Sequence, residues 1–523
     1  MVKSWKTTVV MTALSVALGA AFSTPALAGK GGHSEEVTPV VEAVPTESVA
    51  GLEAAFAAAA QEFGVPVEVL MAVSYNETRW QSHGGRPSRN NGYGVMHLVE
   101  NNVQKKTLVE AALALGVSIK DLQKDSAQNI RGGAYILAGI QKSLGKELTA
   151  NPNEWYEAVA AYEQAKDEKL AKLFADDVFS VMKSGTSVTT EDGATLTLKA
   201  TPFLQPNKGK YASVGEIGIE STDYGPALWN AAYSGNYQVA SRTSAEINNV
   251  IIHDAEGTYS GTISWFKNPD SGVSAHYVIR SSDGQITQMV REKDIAWHAR
   301  TFNSSSIGIE HEGYANQTGW YTTAMYNASA ALVANICDKY GIPKTRNNIL
   351  AHSELYGNTH TDPGRNWDWN YFMSKVTGVT KNYAVVMVDD SNFENSGFTF
   401  YGPSAYWRPV TGYGVHNQIN WTNGNGSTLS NYGIWRPNIP TAGNYEIKVF
   451  IPSKYAATTN AKYEIHYNGG VVTKAVSQLA YSDQWVSLGT YSFAAGTTGY
   501  VKMGDNTGDT VNIAFDAMKF MAK

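Results

Sequence analysis

The spacing of apolar positions changes character along the chain. From about Leu52 apolar residues recur at helical spacing, first in Ala-rich runs, then over Val65 to Tyr75, Ala127 to Leu144 and Trp155 to Phe179. Past Lys183 that spacing stops. Thr, Gly, Asp and Lys dominate to about Ile217, with Thr195 to Lys199 as one short strand. Between about residues 245 and 378 the pattern is mixed. Apolar runs at Val250–Ile252, Ala275–Arg280, Gln285–Val290, Ile307–Ile309 and Ile349–Ala351 read as strands, and Asp283-Gly284 reads as a hairpin turn between two of them. One long helical stretch, Thr322 to Tyr340, is closed by Gly341 and Pro343. From about Lys381 the period is two: Tyr445, Ile447, Val449 and Ile451 alternate, as do Tyr463, Ile465 and Tyr467. Turn clusters such as Asn423-Gly-Asn-Gly426 and Asn468-Gly-Gly470 separate these runs, and the pattern predicts a β-sandwich.

Composition narrows the picture. A chain of 523 residues is too long for one core, so about two to four domains are expected. Hydrophobic residues are 43% and charged residues 17%, which fits globular domains and argues against disorder or a coiled coil. The 48 Gly, 29 Tyr and 13 Trp point to β structure and flat-ring ligands such as sugars. Net charge is −6 with no long basic run, so no nucleic-acid partner is expected. A single cysteine, Cys337, excludes an internal disulfide framework.

The first residues read as a secretory leader: Lys3 and Lys6, an apolar stretch from about Val9 to Ala21, then Ala26 and Ala28 at small-residue cleavage positions. The mature chain is expected to begin near Gly29 and to act outside the cytoplasm or on the cell wall. The apolar stretch is shorter than the roughly 20 residues of a membrane span, so no membrane anchor is expected. Residues 29–50 read as a linker, 51–182 as a helical domain, and 183–244 as a linker and irregular region. Residues 245–378 read as an α/β domain with a central mixed sheet, and 383–523 as an all-β sandwich. A monomer is expected.

Six of the 11 histidines, at 253, 276, 298, 311, 352 and 360, fall within the mixed region. Two of them, His253 and His352, end apolar strand runs, which places a rigid imidazole at the rim of a sheet. Asp362 follows, fixed by Pro363 and Gly364. Any one such histidine alone reads as a capped edge residue. Together, two imidazoles and a carboxylate leave one tetrahedral position of a zinc ion open for water. In Ser306-Ile-Gly-Ile-Glu310 the strand period sends Ile307 and Ile309 into the core. Ser306, Gly308 and Glu310 share the other face, with room for substrate beside a carboxylate able to take a proton. Glu312 reads as an exposed strand residue.

These residues lie in blocks that resemble the zinc-dependent N-acetylmuramoyl-L-alanine amidases of the peptidoglycan-recognition and phage-lysozyme group. The blocks are Val250-Ile-Ile-His253, Ser274-Ala-His-Tyr277, Asp283-Gly284, Ala296-Trp-His298, Ser306-Ile-Gly-Ile-Glu310 and Thr361-Asp-Pro-Gly364 after His352. The resemblance implies zinc ligands His253, His352 and Asp362, and Glu310 as general base. It implies that His276, Trp297 and His298 line the cleft or support it. His360 stands where many members carry lysine, as the group facing the oxyanion. It also implies peptidoglycan as substrate. The alternative reading is a non-catalytic peptidoglycan-recognition protein.

Residues about 52 to 180 resemble the lysozyme-like domain of soluble lytic transglycosylases. The carrying text is Glu77-Thr78, Gly92-Tyr-Gly-Val-Met-His97, Asn129-Ile-Arg-Gly-Gly133 and Ala160-Ala-Tyr162. Val69, Val73 and Glu77 lie on one helical stripe, and the resemblance implies either Glu77 as a general acid on glycan, which makes a bifunctional enzyme a further alternative, or a degenerate glycan-binding domain. His97 and Glu163-Gln-Ala165 depart from the family's usual residues. Residues about 383 to 521 resemble the golvesin C-terminal or xanthan-lyase-type sandwich through Val388-Asp-Asp-Ser391, Trp435-Arg-Pro-Asn-Ile-Pro-Thr-Ala-Gly-Asn-Tyr445 and Phe515-Asp516. That implies a wall-polysaccharide partner. Trp407, Tyr413 and Trp421 are candidate sugar-stacking residues, more often core or loop staples, and Asp389 and Asp390 are a candidate calcium pair, more often solvated turn acids.

Overall fold

Helical spacing in the N-terminal region folds as α1 (Val49–Phe63) and α2 (Val67–Thr78), followed by α3 (Thr107–Leu115), α4 (Ile119–Lys124) and α5 (Ser126–Ser143). Ser118 with Asp121 caps α4 and the Asp125 carboxylate caps α5, each satisfying backbone N–H groups that a helix start leaves open. The stretch expected as one helix from Trp155 to Phe179 is broken. It forms α6 (Tyr156–Tyr162) and α7 (Glu168–Ser184), because Gln164 takes φ of +56° and Asp167 starts a new helix as its cap. Leu70, Val73, Ile130, Leu137, Val159 and Phe174 are buried in the helical core.

The computed structural model describes residues 49–82, 84–101, 106–189, 195–215, 219–392 and 396–523. The expected leader (1–28) and the linker up to residue 48 lie outside the described residues. Among the described residues no helix is long and apolar enough to cross a membrane.

The central region carries a seven-stranded sheet of β1 (Ile219–Glu220), β2 (Leu228–Trp229), β3 (Asn249–Asp254), β4 (Tyr277–Ile279), β5 (Ile286–Gln288), β6 (Ser306–His311) and β7 (Ile349–Ala351). The strand order is β7-β3-β6-β4-β5-β2-β1. β3 pairs parallel with both β7 and β6, and β4 with β5 forms the expected hairpin, with Gly284 at φ +77° in its turn. The stretch expected to be irregular thus supplies the last two strands at one end of the sheet, β2 and the edge strand β1, each too short to show a period. Helices α8 (Tyr259–Phe266), α9 (Thr323–Tyr340) and α10 (Trp369–Thr377) complete the domain. Thr322 caps α9 at its start and Gly341 ends it in the left-handed conformation. Ile307 and Ile309 enter the core with Val250, Ile252, Leu332 and Phe372.

The C-terminal region is a sandwich of a four-stranded, a five-stranded and a three-stranded antiparallel sheet. Its core holds Trp435, Tyr445, Ile447, Tyr463, Ile465, Phe515 and Phe520. The three regions pack together. Leu170 and Leu173 of α7 share an apolar cluster with Tyr259, Ile263 and Phe266 of α8, flanked by Lys267–Asp167 (2.7 Å) and Arg280–Asp177 (3.2 Å) ion pairs. On the other side, Val415, Phe450 and Ala517 of the sandwich cluster with Tyr356, and Lys519 Nζ donates to the Glu354 carbonyl (3.1 Å).

Candidate metal and catalytic centre

Parallel pairing of β3 between β6 and β7 aligns the strand ends. Glu310 is the register partner of His253, and Ala351 lies opposite Ile252, so His352 leaves the sheet beside His253. The segment after His352 is pinned from several sides. Asn358 Nδ2 donates to the His352 carbonyl, Arg346 pairs with Glu354 (2.6 Å), and Ser353 N donates to the Asp362 carbonyl. Asp362 is thereby returned to the same rim.

His253 Nδ1 lies 3.1 Å from Asp362 Oδ2, and His352 Nδ1 lies 3.0 Å from Asp362 Oδ1. All three residues are buried, at 0%, 3% and 4% exposure. Burial, reinforced by the neighbouring His352, lowers the His253 pKa below the usual imidazole range. Burial alone would raise Asp362, but His352 and His253 outweigh it and hold the carboxyl well below its usual range. Both shifts favour the deprotonated forms of His253 and Asp362 that metal ligation requires. His253 Nε2 faces His298 Nδ1 at 2.9 Å, the outer contact that fixes a ligating imidazole. Two nitrogens and one carboxylate gathered within 4.8 Å of one another fit a zinc ion with an open position.

Glu310 is 1% exposed. Its Oε1 accepts a 2.6 Å hydrogen bond from Arg89 Nη1, and its Oε2 is buried with no hydrogen-bond partner among the described residues. Partial burial works to lower the Arg89 pKa, but Glu310 and then Asp362 outweigh it, and the guanidinium stays charged. Arg89 belongs to the helical region, 221 residues away in the chain, and its backbone N–H also donates to the Glu256 carbonyl. Nothing in local sequence pattern marks it; only the docking of two domains brings it here.

The space beside Gly308 is not open to substrate. A Cβ there would meet the His298 ring at 2.4 Å, and Ser306 Oγ contacts His298 Nε2 at 3.3 Å. The small residues make room for an imidazole instead. His276 has no exposed surface. Its Nδ1 accepts from Gly308 N–H, and its Nε2 lies 2.9 Å from Arg242 Nη2 and 3.2 Å from the Asp294 carbonyl. These surroundings are those of support behind β6. Trp297 is half-buried, with its backbone bonded to Ser274. His360 stacks on His352 (4.3 Å between ring centres), its side chain is 48% exposed, and burial together with the nearby His352 lowers its pKa to about 4. It is therefore a neutral hydrogen-bonding group rather than a substitute for lysine's charge. Glu312 is buried, not exposed: its two oxygens accept from Tyr259 N–H and Ser281 N–H.

Glu77 ends α2 at 2% exposure, with His97 Nδ1 at 3.2 Å from its Oε2. The cavity against it is about 20 Å³ and is lined by His97, Tyr162 and Glu163 together with Thr258 and Gly261 of the central domain. In the sandwich, Trp407 packs edge-on against Phe400 and Phe515, and Trp421 stacks on Tyr455 under Arg408. Each is held by neighbouring rings, as a staple of the fold is.

An α/β sheet that gathers two imidazoles and two carboxylates at one strand-end rim defines the class: a hydrolase whose site can hold a metal ion. Residues 243–365 match the N-acetylmuramoyl-L-alanine amidase family, residues 54–173 the transglycosylase SLT domain, and residues 387–522 the golvesin C-terminal domain. N-acetylmuramoyl-L-alanine amidase A of Achromobacter lyticus is 44% identical over 176 residues, covering 30% of this chain and 97% of that protein. 1,6-anhydro-N-acetylmuramyl-L-alanine amidase AmpD of Citrobacter freundii is 39% identical over 113 residues, covering 20% of this chain and 58% of that protein. Among solved structures, Paenibacillus xanthan lyase is 28% identical, with a TM-score of 0.23, covering 27% of this chain and 13% of that one. The chain belongs to the N-acetylmuramoyl-L-alanine amidase family.

Proposed function

We propose that this chain is a secreted, zinc-dependent peptidoglycan amidase that hydrolyses the amide between N-acetylmuramic acid and L-alanine. His253, His352 and Asp362 hold the metal, which when bound supplies Lewis acidity to polarise a carbonyl and acidify water. The observation that carries the reading is the meeting of those three buried donors with Glu310, whose Oε1 is fixed by Arg89 while Oε2 is left to accept a proton.

The chain's own residues then act as follows. Glu310 Oε2 takes a proton from water as the water oxygen adds to the lactyl carbonyl carbon. His360, neutral and half exposed at the rim, donates an N–H to the oxygen that gains charge. As the C–N bond breaks, Glu310 returns the proton to the leaving amine of L-alanine, so the base is regenerated. His298 fixes the ring of His253, and Arg89 keeps Glu310 in one orientation. Wall polysaccharide is the proposed partner of the sandwich, and the sequence of residues 1–28 supports export.

Mass spectrometry of muropeptides after digestion tests the reading. The expected products are free stem peptides, released by the zinc-loaded chain and lost on chelation and on Glu310→Gln. Stem-peptide release that survives complete metal removal would overturn the metal assignment, and anhydro-sugars as the sole products would overturn the reaction.

A further inference from the structure

The register of the sandwich brings three acidic residues together away from the amidase centre. Val388 pairs with Met518, so Asp389 and Asp390, which follow Val388, meet Asp516, which precedes Met518. Each is 1% exposed, so these are not the solvated turn acids that the sequence suggests. Oxygens from Asp389, Asp390 and Asp516 lie within 4.8 Å of one another.

The hydrogen bonding of the three is divided in one consistent way. One oxygen of each carboxylate is held by protein donors. Asp389 Oδ1 accepts from Ser391 N–H and Oγ, Asp390 Oδ2 from Asn420 Nδ2 (2.7 Å), and Asp516 Oδ1 from Val415 N–H (3.1 Å) and Ala517 N–H (2.8 Å). The other oxygen of each, Asp389 Oδ2, Asp390 Oδ1 and Asp516 Oδ2, is buried with no hydrogen-bond partner among the described residues. Three such orphans in one place are far outside the usual satisfaction of buried polar atoms. Carboxylates oriented through one oxygen, with the other free of hydrogen bonds, are arranged as ligands are. Gly414 (φ +76°) passes so close that a Cβ there would come within 2.3 Å of Asp516 Oδ2, so the backbone wraps the orphan oxygens and excludes a larger side chain. His416 Nδ1 lies 3.4 Å from Asp389 Oδ2 at the margin of the group.

We propose that Asp389, Asp390 and Asp516 bind a divalent cation, calcium by their all-oxygen acidic donor set, inside the C-terminal sandwich. Three buried carboxylates cannot all carry charge without a counter-ion. Burial, then the neighbouring acids, push Asp390 and Asp516 well above the usual range when no cation is present. The site also has a structural reach. Val415, whose N–H Asp516 holds, bridges to Tyr356, and Gly357 N–H donates to the Gly414 carbonyl (3.0 Å). The cation therefore orders the sandwich segment that docks on the amidase segment beginning at His352.

Terbium, which replaces calcium and emits when sensitised by nearby indole, tests this on the zinc-loaded full chain. Trp435 donates its Nε1–H to the Asp516 carbonyl (2.7 Å) and is the local antenna. One equivalent of Tb³⁺ should bind saturably and be displaced by Ca²⁺, and Ca²⁺ should raise Tm by several degrees. Asp390→Asn should lose the Tb³⁺ signal and the Tm response while keeping its zinc; Glu310→Gln should keep all three. Should Asp390→Asn fail to fold, the wild-type metal content and Tm response decide alone. A wild-type chain with no bound cation and no response to Ca²⁺ would overturn the site and leave the acids protonated. A second equivalent of zinc with His416 as ligand, in place of calcium, would overturn the cation assignment.

Discussion

Two buried glutamates, Glu77 of the helical region and Glu310 of the central sheet, stand on either side of one loop. Ser88 Oγ in that loop contacts His97 Nε2 beside Glu77, while the next residue, Arg89, bonds Glu310. The two carboxylates are almost equally buried, at 2% and 1%. What separates them is what stands beside them. Thr258 and Gly261, at the start of helix α8, line a cavity of about 20 Å³ against Glu77, the room of about one water. Glu310 instead stands at the strand-end rim with the three candidate ligands and a half-exposed His360. A general acid or base is only as useful as the space in front of it. Docking of one domain on the other sets Thr258 and Gly261 against the Glu77 cavity and brings Arg89 to Glu310.

The largest test of that contrast is a pair of matched substitutions. Glu310→Gln should lower amidase turnover by roughly 10²–10⁴ with zinc still bound, the usual worth of a general base. Glu77→Gln should leave amidase turnover within about twofold of wild type, a change worth about 0.4 kcal/mol. Anhydro-sugar products that vanish in Glu77→Gln would break the contrast and make the helical cleft a working one.

Arg89→Ala removes a charged hydrogen bond worth about 1.5–3 kcal/mol, so amidase kcat should fall by about 10- to 100-fold, with Arg89→Lys between. A faster Arg89→Ala enzyme would make the arginine a brake. Leu170→Ala, at a position 1% exposed in the α7–α8 cluster, should weaken docking by about 2–4 kcal/mol and be visible as a lower Tm. The same variant asks whether Glu77 gains glycan access once that docking loosens.

The smallest effect is a pH dependence. Glu163 lines the cavity against Glu77, where burial and then the Glu77 charge push its pKa well above the usual range, with Ser260 as a hydrogen-bond partner. The folded chain thus keeps a proton that the unfolded chain releases near 4.5. This contribution to stability is fully present below about pH 4.5 and is lost as pH rises through the folded value. A tenfold tighter hold on the proton in the folded chain corresponds to about 1.4 kcal/mol. Glu163→Gln should flatten that part of the Tm–pH curve, measured by calorimetry; an unchanged curve would mean the cleft admits more water than its size implies.

Much of the central domain is legible in one sequence because its strands are apolar and end in chemistry. Val250 to His253 and Ile349 to His352 announce both strand and candidate ligand, and α9 carries its cap and its terminating glycine. Other features carry no such mark. β1 and β2 are two residues each, below any period. The break after Tyr162 turns on the backbone of Gln164 and a capping Asp167, which compete with a helical stripe that continues on both sides. Gly308 leaves room, as its position suggests, but the His298 ring takes it.

By itself the sequence determined the three regions, the strand ends that carry His253 and His352, and the carboxylate of Glu310, because periodicity and local punctuation are properties of neighbouring residues. Only the tertiary structure decided that Arg89 serves Glu310, that the next domain lines the cavity against Glu77, and that Asp389, Asp390 and Asp516 share one buried space. Those outcomes depend on burial and docking between segments far apart in the chain, and the electrostatic cost of an unpaired buried charge exists only once the chain has closed around it.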